Sequence, residues 1–286
     1  MLSANLLNGG ADPDAFADLV ASLDVDVLAV QEVGHAQAEA LLDLFESGEI
    51  IPAPDFTGMG LLARHDLEVE RIPLSWGFGQ IGGLRLAGWG DDAPVVELTN
   101  LHIAAPHMWS PRPGPWLRYR QAAELDSHLR HGAQKRCVST NSSSATKVRS
   151  GEGAPERPGI DSEPRKWDSE RLEATNERAG RERKGPARIV VGDFNATPYW
   201  PWYRRMVSQF TDVAVAVADK TGESPRSTWG PWPGSRRLLR IDHGFVHGIE
   251  PEAFEVVDIV GSDHSAIVMD LSFGVSGGRS DGDADS

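Results

Sequence analysis

Apolar runs of two different periods alternate along most of the chain. A helix is predicted from Asp12-Pro13, a favourable helix start, and further helical spacing covers 36–46 and 115–130. The uncharged runs Val27–Val30 and Ile189–Val191 predict buried strands. Additional strands are predicted at 58–64, 67–73, 80–87, 94–103, 211–217, 238–247, 254–260 and 265–273. Many strands with few helices indicate sheets packed face to face with helices outside.

Residues 133–186 differ in composition from the rest of the chain. They are rich in Ser, Gly, Pro, Glu and Arg, and their few aliphatic residues follow neither a strand nor a helix period. Such a segment cannot bury enough apolar surface to offset its ordering entropy. We therefore predict a single domain over 1–273 that is interrupted by a disordered insert at 133–186 and followed by a disordered tail at 274–286.

Composition and charge exclude several classes of protein. The 286 residues carry a formal charge of -14. Residues 133–186 hold 12 Lys/Arg and 9 Asp/Glu, so the other positions hold 16 and 33 and have a net charge of -17. A stable nucleic-acid complex held by bulk electrostatics is not expected on such a surface. The one cysteine, Cys137, excludes an intramolecular disulfide and a cysteine zinc cluster.

The first residues give an expectation about location. Met1–Asn5 lacks the basic and apolar regions of a signal peptide. No apolar run approaches the roughly 18 residues that a membrane helix needs. We therefore expect a cytoplasmic monomer, or a membrane-associated or exported protein if a segment upstream of Met1 is missing.

Polar side chains capable of chemistry follow the predicted strands. They are Asn5, Glu32, His102, Asp193, Asn195, Asp242, Asp263 and His264. In an extended segment Asp193 and Asn195 share one side and Phe194 turns into the core, so one phosphate could meet both polar residues. His243 alternates to the face opposite Asp242 and is expected to be structural. Asp and Asn also end strands as turn residues, so the ordered set matters more than any member.

In chain order, these residues lie in the motifs NLLNG, VQEV, NLHIAAP, GDFNATP and GSDHSAI. The set resembles the endonuclease/exonuclease/phosphatase superfamily, and the resemblance extends from residue 1 to about 273 except for the insert. It implies a four-layer α/β sandwich of two mixed sheets. It also implies a metal-dependent hydrolase of phosphoester bonds, with Mg²⁺ as cofactor and Mn²⁺ as a substitute.

The resemblance implies a metal site at the ends of the strands. Glu32 is the first expected ligand with Asn5 beside it, and Asp263 is the next carboxylate. Mg²⁺ prefers one or two carboxylates plus waters, which this set offers. A phosphoester is anionic, so a bound cation would neutralise the oxygens that repel a nucleophile.

The resemblance also implies the catalytic roles. Asp193 would orient or deprotonate the attacking water, while Asn195 and His102 would bind phosphate oxygens. Asp242 and His264 would form a carboxylate–imidazole pair, which supports the charged imidazole. His264 is then either the general base or a phosphate-binding cation, and the sequence leaves both open.

The substrate is less well defined than the chemistry. Six of the nine tryptophans flank the proposed site, and Trp109 and Trp232 are candidates to contact an apolar group such as a lipid or isoprenoid. Arg120 is a candidate phosphate contact. A nuclease is the alternative, for which the arginines at 236–240 offer one basic segment. A soluble sugar- or nucleotide-phosphate hydrolase and a catalytically inactive binding protein are also open.

Overall fold

The computed structural model describes residues 1–86, 95–105, 117–118, 120–125, 127–129, 149–150 and 187–273. The strands are β1 (Leu2–Asn5), β2 (Val27–Gln31), β3 (Ser47–Ile51), β4 (Met59–Ala63), β5 (Asp66–Pro73), β6 (Phe78–Arg85), β7 (Val96–His102), β8 (Arg149–Ser150), β9 (Arg188–Asp193), β10 (Thr211–Asp212), β11 (Asp242–His247), β12 (Glu250–Asp258) and β13 (Ser265–Ser272). The helices are α1 (Pro13–Ser22), α2 (His35–Leu42), α3 (117–118, 120–125 and 127–129), α4 (Pro201–Val207) and α5 (Val213–Thr221).

The strands form two mixed sheets. The described part of the first sheet has the order β12-β13-β1-β2-β4-β3-β8, and that of the second has the order β10-β11-β9-β7-β6-β5. β1 runs parallel to β2 and antiparallel to β13. In the second sheet, β9 runs parallel to β7 and antiparallel to β11. The carboxyl ends of β7 and β9 therefore meet at one edge, beside the start of β11.

Side-chain alternation along the strands divides the core into three apolar layers. Leu28 and Val30 of β2 pack with Phe16 of α1 on the outside of the first sheet. Ala29, between them, points to the opposite face and packs with Val191 in the layer between the sheets. The third layer lies outside the second sheet, beneath α3 and α4. The order of layers is helix, sheet, sheet, helix, which confirms the predicted α/β sandwich.

Local capping explains where two of the helices begin. The Asp12 side chain accepts a hydrogen bond from the Ala15 backbone amide at 2.9 Å, and Pro13 occupies the first helical turn. The Asp212 side chain caps α5 in the same way, accepting from Val215 at 3.2 Å. No helix in the described ranges is both long and apolar enough to cross a membrane.

Several predicted boundaries were wrong. The Val-Ala alternation at 211–217 predicted a strand, but β10 ends at Asp212 and α5 begins, because the Asp212 cap stabilises the first turn of a helix. β3 and α4 were not predicted.

In the segment 133–186 only Arg149–Ser150 lie within the described residues, and they pair with β3 where composition predicted no regular structure. Backbone pairing at a sheet edge needs no apolar side chain. The predicted tail at 274–286 lies outside the described residues.

Candidate functional site

Strand register brings the polar residues together around the end of β9. Asp193, the last residue of β9, lies opposite His102 of β7 on one side and Asp242 of β11 on the other. From the first sheet, Asn5 ends β1 and Glu32 directly follows β2. The ends of both sheets thus contribute to one site, and each contributing residue is anchored by a buried strand.

Gly192 and Glu32, at two of these strand ends, have positive φ angles, which residues other than glycine rarely adopt. Gly192 has φ 137°, and an added Cβ there would lie 1.9 Å from the Leu101 carbonyl oxygen. Only glycine fits so close to the neighbouring strand. Glu32 has φ 55°, a conformation that a non-glycine residue adopts only when the surrounding structure holds it. These conformations turn the chain sharply as it leaves the sheet.

A tight turn joins Asp193 to Asn195. The Asn195 backbone amide donates to Asp193 Oδ1 at 2.7 Å, and its side-chain Nδ2 donates to Asp193 Oδ2 at 3.0 Å and to the Ile103 carbonyl at 2.9 Å. Asn195 has φ 48°, so the extended geometry expected for this segment was wrong. Phe194 is fully buried, as predicted. Because both amide hydrogens of Asn195 are donated, its side chain orients Asp193.

Glu32, His102 and Asp193 form a cluster in which one ligand atom from each lies within 4.8 Å of the others. Asn5 Nδ2 donates to both carboxylates, to Glu32 Oε1 at 3.0 Å and to Asp193 Oδ2 at 3.0 Å. His102 Nε2 lies 3.4 Å from Glu32 Oε1, while its Nδ1 donates to the Phe56 carbonyl at 3.0 Å. The cluster is largely buried, so these ligand atoms are held close together and are shielded from bulk solvent.

Two of the predicted metal ligands take other positions. Asn5 Oδ1 accepts the Leu7 backbone amide at 2.9 Å, and the Asn5 nitrogen faces the carboxylates of Glu32 and Asp193. Asp263 Oδ2 accepts from Trp229 Nε1 at 3.1 Å, and Asp263 Oδ1 lies 3.9 Å from His264 Nε2. Asp263 therefore adjoins His264 and is not part of the Glu32 cluster, while Asn5 orients that cluster.

His264 lies among carboxylates at the centre of the site. Its Nδ1 lies 3.0 Å from Asp242 Oδ2, which also accepts from Thr228 Oγ1 at 2.6 Å, and its Nε2 lies 3.7 Å from Asp193 Oδ2. Burial alone would lower the pKa of His264, but the charges of Asp242, Asp193 and Asp263 raise it to about 10. The imidazole is therefore held in its charged form at neutral pH.

The surroundings of Asp193 raise the pKa of its carboxyl group. Burial raises the pKa of the Asp193 carboxyl to about 6, and the neighbouring Asp242 raises it further, while His264 and His102 oppose that rise. Asp193 is therefore ionised above about pH 6 and then lies beside the charged His264. Such a pair of groups with separated pKa values is typical of an acid–base site.

Two arginines of α3, the predicted Arg120 and its neighbour Arg118, have different environments. Arg120 Nε donates to Glu124 Oε1 at 3.1 Å, one turn along α3. Arg118 is instead buried, and its Nη2 donates to the Phe194 carbonyl at 3.3 Å. Burial lowers the pKa of Arg118 to about 10, and the nearby Asp193 charge opposes that shift. Arg118 Nη1 is buried without a hydrogen-bond partner in the described structure.

Several polar side chains of the segment 229–240 form hydrogen bonds with other parts of the protein. Arg237 donates to three backbone carbonyls in the loop before β13, and Arg240 Nη1 bonds both oxygens of Asp212. Two of the arginines that suggested a basic segment therefore stabilise the fold. Trp232 is 64% exposed, and Trp109 lies outside the described residues.

His243 has the structural position that strand alternation predicted. It is fully buried on the face opposite Asp242, its Nε2 donates to the Ala196 carbonyl at 2.7 Å, and its ring stacks on Phe245. Burial lowers the pKa of His243 to about 4, and the nearby Arg240 charge adds to this effect. His243 is therefore neutral at the pH where His264 is charged.

Comparisons with known proteins agree with this fold. Residues 2–264 match the model of a family described as the endonuclease/exonuclease/phosphatase family. No curated protein sequence matches the chain significantly. A solved endonuclease/exonuclease/phosphatase family protein from Bacteroides thetaiotaomicron superposes with a TM-score of 0.62 at 15% identity, covering 96% of this chain and 94% of that one.

Two further solved structures are similar at comparable levels. The Bacteroides thetaiotaomicron mannosyl-6-phosphatase has a TM-score of 0.58 at 15% identity, covering 95% of this chain and 98% of that one. The human Nocturnin catalytic domain with bound sulfate has a TM-score of 0.56 at 18% identity, covering 91% and 85%. At these identities the similarity shows a shared fold.

Proposed function

The chain belongs to the endonuclease/exonuclease/phosphatase family, and from this premise we propose that Glu32 holds Mg²⁺ while Asp193 and His264 act on a phosphoester. Members of this family are metal-dependent hydrolases of phosphoester bonds, and this general activity is assigned to the chain. The identity of the metal, the roles of the residues and the substrate belong to the proposal.

The convergence of Glu32 and Asp193 carries the proposal. Both carboxylates accept a hydrogen bond from the single amide of Asn5, so their negative charges are held close together in a largely buried site. Glu32 Oε2 also accepts the Asn8 backbone amide at 2.8 Å, which fixes the carboxylate plane. Buried like charges are costly unless a cation compensates them. Hard oxygen donors favour Mg²⁺, with Mn²⁺ as a substitute.

In this proposal each residue has a defined task. Bound Mg²⁺ supplies positive charge that neutralises the phosphate oxygens. Ionised Asp193 accepts a hydrogen bond from the attacking water and orients it, and Asn195 fixes the position of that carboxylate. His264, kept charged by Asp242, donates from Nε2 to a phosphate oxygen. His102 Nε2 lies on the other side of Asp193 and is the second phosphate contact.

The same geometry favours one of the two roles considered for His264. A general base must be neutral before it accepts a proton. Because the carboxylates raise the pKa of His264 to about 10, the imidazole carries its proton across the neutral range. We therefore assign His264 as the phosphate-binding cation and Asp193 as the group that acts on water.

The proposed substrate is a phosphate ester of an apolar group, such as a lipid or isoprenoid phosphate. Large apolar side chains are exposed on the loops near the site, with Trp232 64% exposed and Leu238 58% exposed. The net charge of -17 outside residues 133–186 opposes extended contact with nucleic acid. Of the solved structures named above, one is a mannosyl-6-phosphatase and one is a domain with bound sulfate, and both names are compatible with an anion site in this fold.

Hydrolysis assays with and without Mg²⁺ test this proposal. Wild type, Asp193→Asn and the control Asp66→Asn, which changes an exposed carboxylate on β5, are compared on plasmid DNA, a sphingomyelin-type lipid, an isoprenoid pyrophosphate and an aryl phosphodiester. We expect Mg²⁺-dependent turnover that Asp193→Asn lowers by about 10²-fold or more, and that the control retains. Turnover that survives Asp193→Asn would contradict the assigned role, and preferential cleavage of DNA would contradict the proposed substrate.

A further inference from the structure

The loop 228–239 folds back on itself and lies beside the residues that lead into β13. Its two arms meet where Trp229 and Leu239 form an antiparallel bridge. The first arm pairs in turn with the approach to β13, because Trp229 also forms an antiparallel bridge with His264. The loop therefore contacts the backbone of the residue that we assign to phosphate binding.

One side chain of the returning arm, Arg237, bonds four groups in the segment that carries His264. Its Nη1 donates to the Asp263 carbonyl at 2.7 Å, and its Nη2 donates to the carbonyls of Ser262 at 3.3 Å and His264 at 3.0 Å. Its Nε donates to the Ser265 hydroxyl at 2.7 Å. The Arg237 side chain is only 11% exposed. A single guanidinium thus bonds the main chain before and after His264.

The backbone of residues 262–264 depends on partners from outside the strand. These residues precede β13, so their carbonyls need donors other than the ladder of that strand. In the core, the Ser262 hydroxyl donates to the Asn5 carbonyl at 2.8 Å and accepts the His264 amide at 3.1 Å. Arg237 supplies donors to the carbonyls, and arginine suits this task because it presents five N–H groups in a plane, whereas lysine presents three on one nitrogen. Buried Ser262 and Arg237 together fix the main chain that carries His264.

The position of the His264 ring follows from this backbone. Its Nδ1 lies 3.0 Å from Asp242 Oδ2, which fixes one end of the ring. The position of Nε2, the atom that we assign to a phosphate oxygen, then depends on where the main chain holds residue 264. A misplacement of about 1 Å can lower the rate of an enzyme by about 10²-fold. A residue that holds this backbone therefore affects the rate without reaching the substrate.

We propose that Arg237 is a positioning residue for phosphoester hydrolysis, which holds the main chain of residues 262–264 so that His264 Nε2 points at the phosphate. The inference rests on the proposed function, because it takes His264 as the phosphate-binding cation. All three guanidinium nitrogens of Arg237 donate to the segment 262–265, so the residue acts through His264 and not on the phosphate itself.

A double-mutant cycle measures whether Arg237 acts through His264. Arg237→Ala is made in wild type and in His264→Gln, and turnover with Mg²⁺ is measured on the substrate that the hydrolysis assays select. In wild type, we expect Arg237→Ala to lower kcat by about tenfold or more and to leave KM and Mg²⁺ affinity within about twofold. In the His264→Gln background, the same change should lower kcat by about twofold or less, because the group through which it acts is gone. A purely structural role would lower kcat by the same factor in both backgrounds.

Two further variants and an added ligand support the cycle. Arg226→Ala is the matched control, because Arg226 donates to the Val256 carbonyl at 3.4 Å and so makes the same kind of bond outside the segment 262–265. It should retain the kcat of wild type. Arg237→Lys keeps the charge but offers donors from one atom, so its kcat should lie between wild type and Arg237→Ala, and it carries the same cycle if the alanine variant does not fold. Guanidinium, added below the concentration that unfolds the protein, should restore part of the kcat of Arg237→Ala but not that of His264→Gln.

Proton NMR of the metal-free protein at neutral pH gives a readout that does not depend on turnover. The ring signals of His264, identified by their absence in His264→Gln, should shift in Arg237→Ala or Arg237→Lys and stay in place in Arg226→Ala. Unshifted ring signals, or equal losses of kcat in the two backgrounds, would overturn the role of Arg237 while the role of His264 stands. If wild type has no Mg²⁺-dependent turnover, or if His264→Gln keeps all of it, the proposed function is wrong and the role of Arg237 falls with it.

Discussion

Replacing Asp242 by Asn should return the pKa of His264 to near its ordinary value. The substitution keeps the size of the side chain and an oxygen that can accept from His264 Nδ1, but it removes the negative charge. His264 Nδ1 lies 3.0 Å from Asp242 Oδ2. At that distance and an effective dielectric constant of about 20, the attraction between unit charges is about 5 kcal/mol, or about 4 pKa units.

The expected result follows from this magnitude. The pKa of His264 is raised to about 10 in the wild type, so in Asp242→Asn it should fall to about 6. The ordinary pKa of histidine is about 6.5. The stabilisation that comes from the raised pKa is therefore fully present below about pH 6.5 and is lost as the pH rises through about 10. Wild type should lose stability over that range, and Asp242→Asn should lose much less.

Proton NMR titration of the histidine rings in metal-free protein measures the shift. Asp270→Asn is the matched control, because Asp270 is an exposed carboxylate on β13, the strand that directly follows His264. The control should leave the titration of His264 unchanged. The reasoning would be refuted if wild-type His264 titrated near pH 6.5, or if Asp242→Asn left its pKa unchanged.

Three further predictions concern stability and are checked by urea denaturation. Because the pKa of His243 is lowered to about 4, the free energy of unfolding of wild type should fall by up to about 3 kcal/mol as the pH falls from 6.5 to 4. His243→Phe should lack this loss, and parallel pH profiles of the two proteins would contradict the prediction. Gly192→Ala should lower the free energy of unfolding by more than about 3 kcal/mol, because its Cβ would collide with the neighbouring strand. Gly222→Ala, at φ 78° with open space around it, should lower it by about 1 kcal/mol, and equal losses in the two variants would refute the clash. Trp229→Phe removes the donor to Asp263 and should cost about 1–3 kcal/mol, and unchanged stability would show that the carboxylate finds another partner.

The sequence identifies the strands that carry the site better than it identifies the neighbours of each residue. Apolar runs followed by polar residues marked the ends of β2, β7 and β9, because a buried strand is uncharged until it reaches solvent. The pairing of Asp193 with His102 on one side and Asp242 on the other depends on strand register. These strands are far apart in the chain, so the pattern within one strand does not show which strand becomes its partner.

Other features were missed because a local pattern was misread. Arg118 and Gln121 occupy the same helical stripe as Leu125 and Leu129, so helical spacing already indicated that they face the core. The prediction for Arg120 followed a short motif, whereas this periodicity indicates the burial of Arg118. The Val-Ala alternation of α5 fits a strand as well as a helix, and only its cap distinguishes the two.

The location of Trp76 shows that the sequence alone does not identify the aromatic residues next to the site. Tryptophans were judged by their distance in sequence from the motifs, which selected Trp109 and Trp232. Trp76 lies 26 positions before His102, yet the two rings meet at 5.3 Å because β6 and β7 are paired neighbours. Sequence distance therefore does not indicate which aromatic residues adjoin a site built from several strands.

Calorimetric titration with Mg²⁺ tests the central claim most directly. Wild type is compared with Glu32→Gln and with Glu68→Gln, which makes the same change at an exposed position of β5. We predict one saturable Mg²⁺ site that Glu32→Gln weakens by about tenfold or more and that Glu68→Gln leaves intact. Equal Mg²⁺ affinity in wild type and Glu32→Gln would contradict the assignment of this cluster as the metal site.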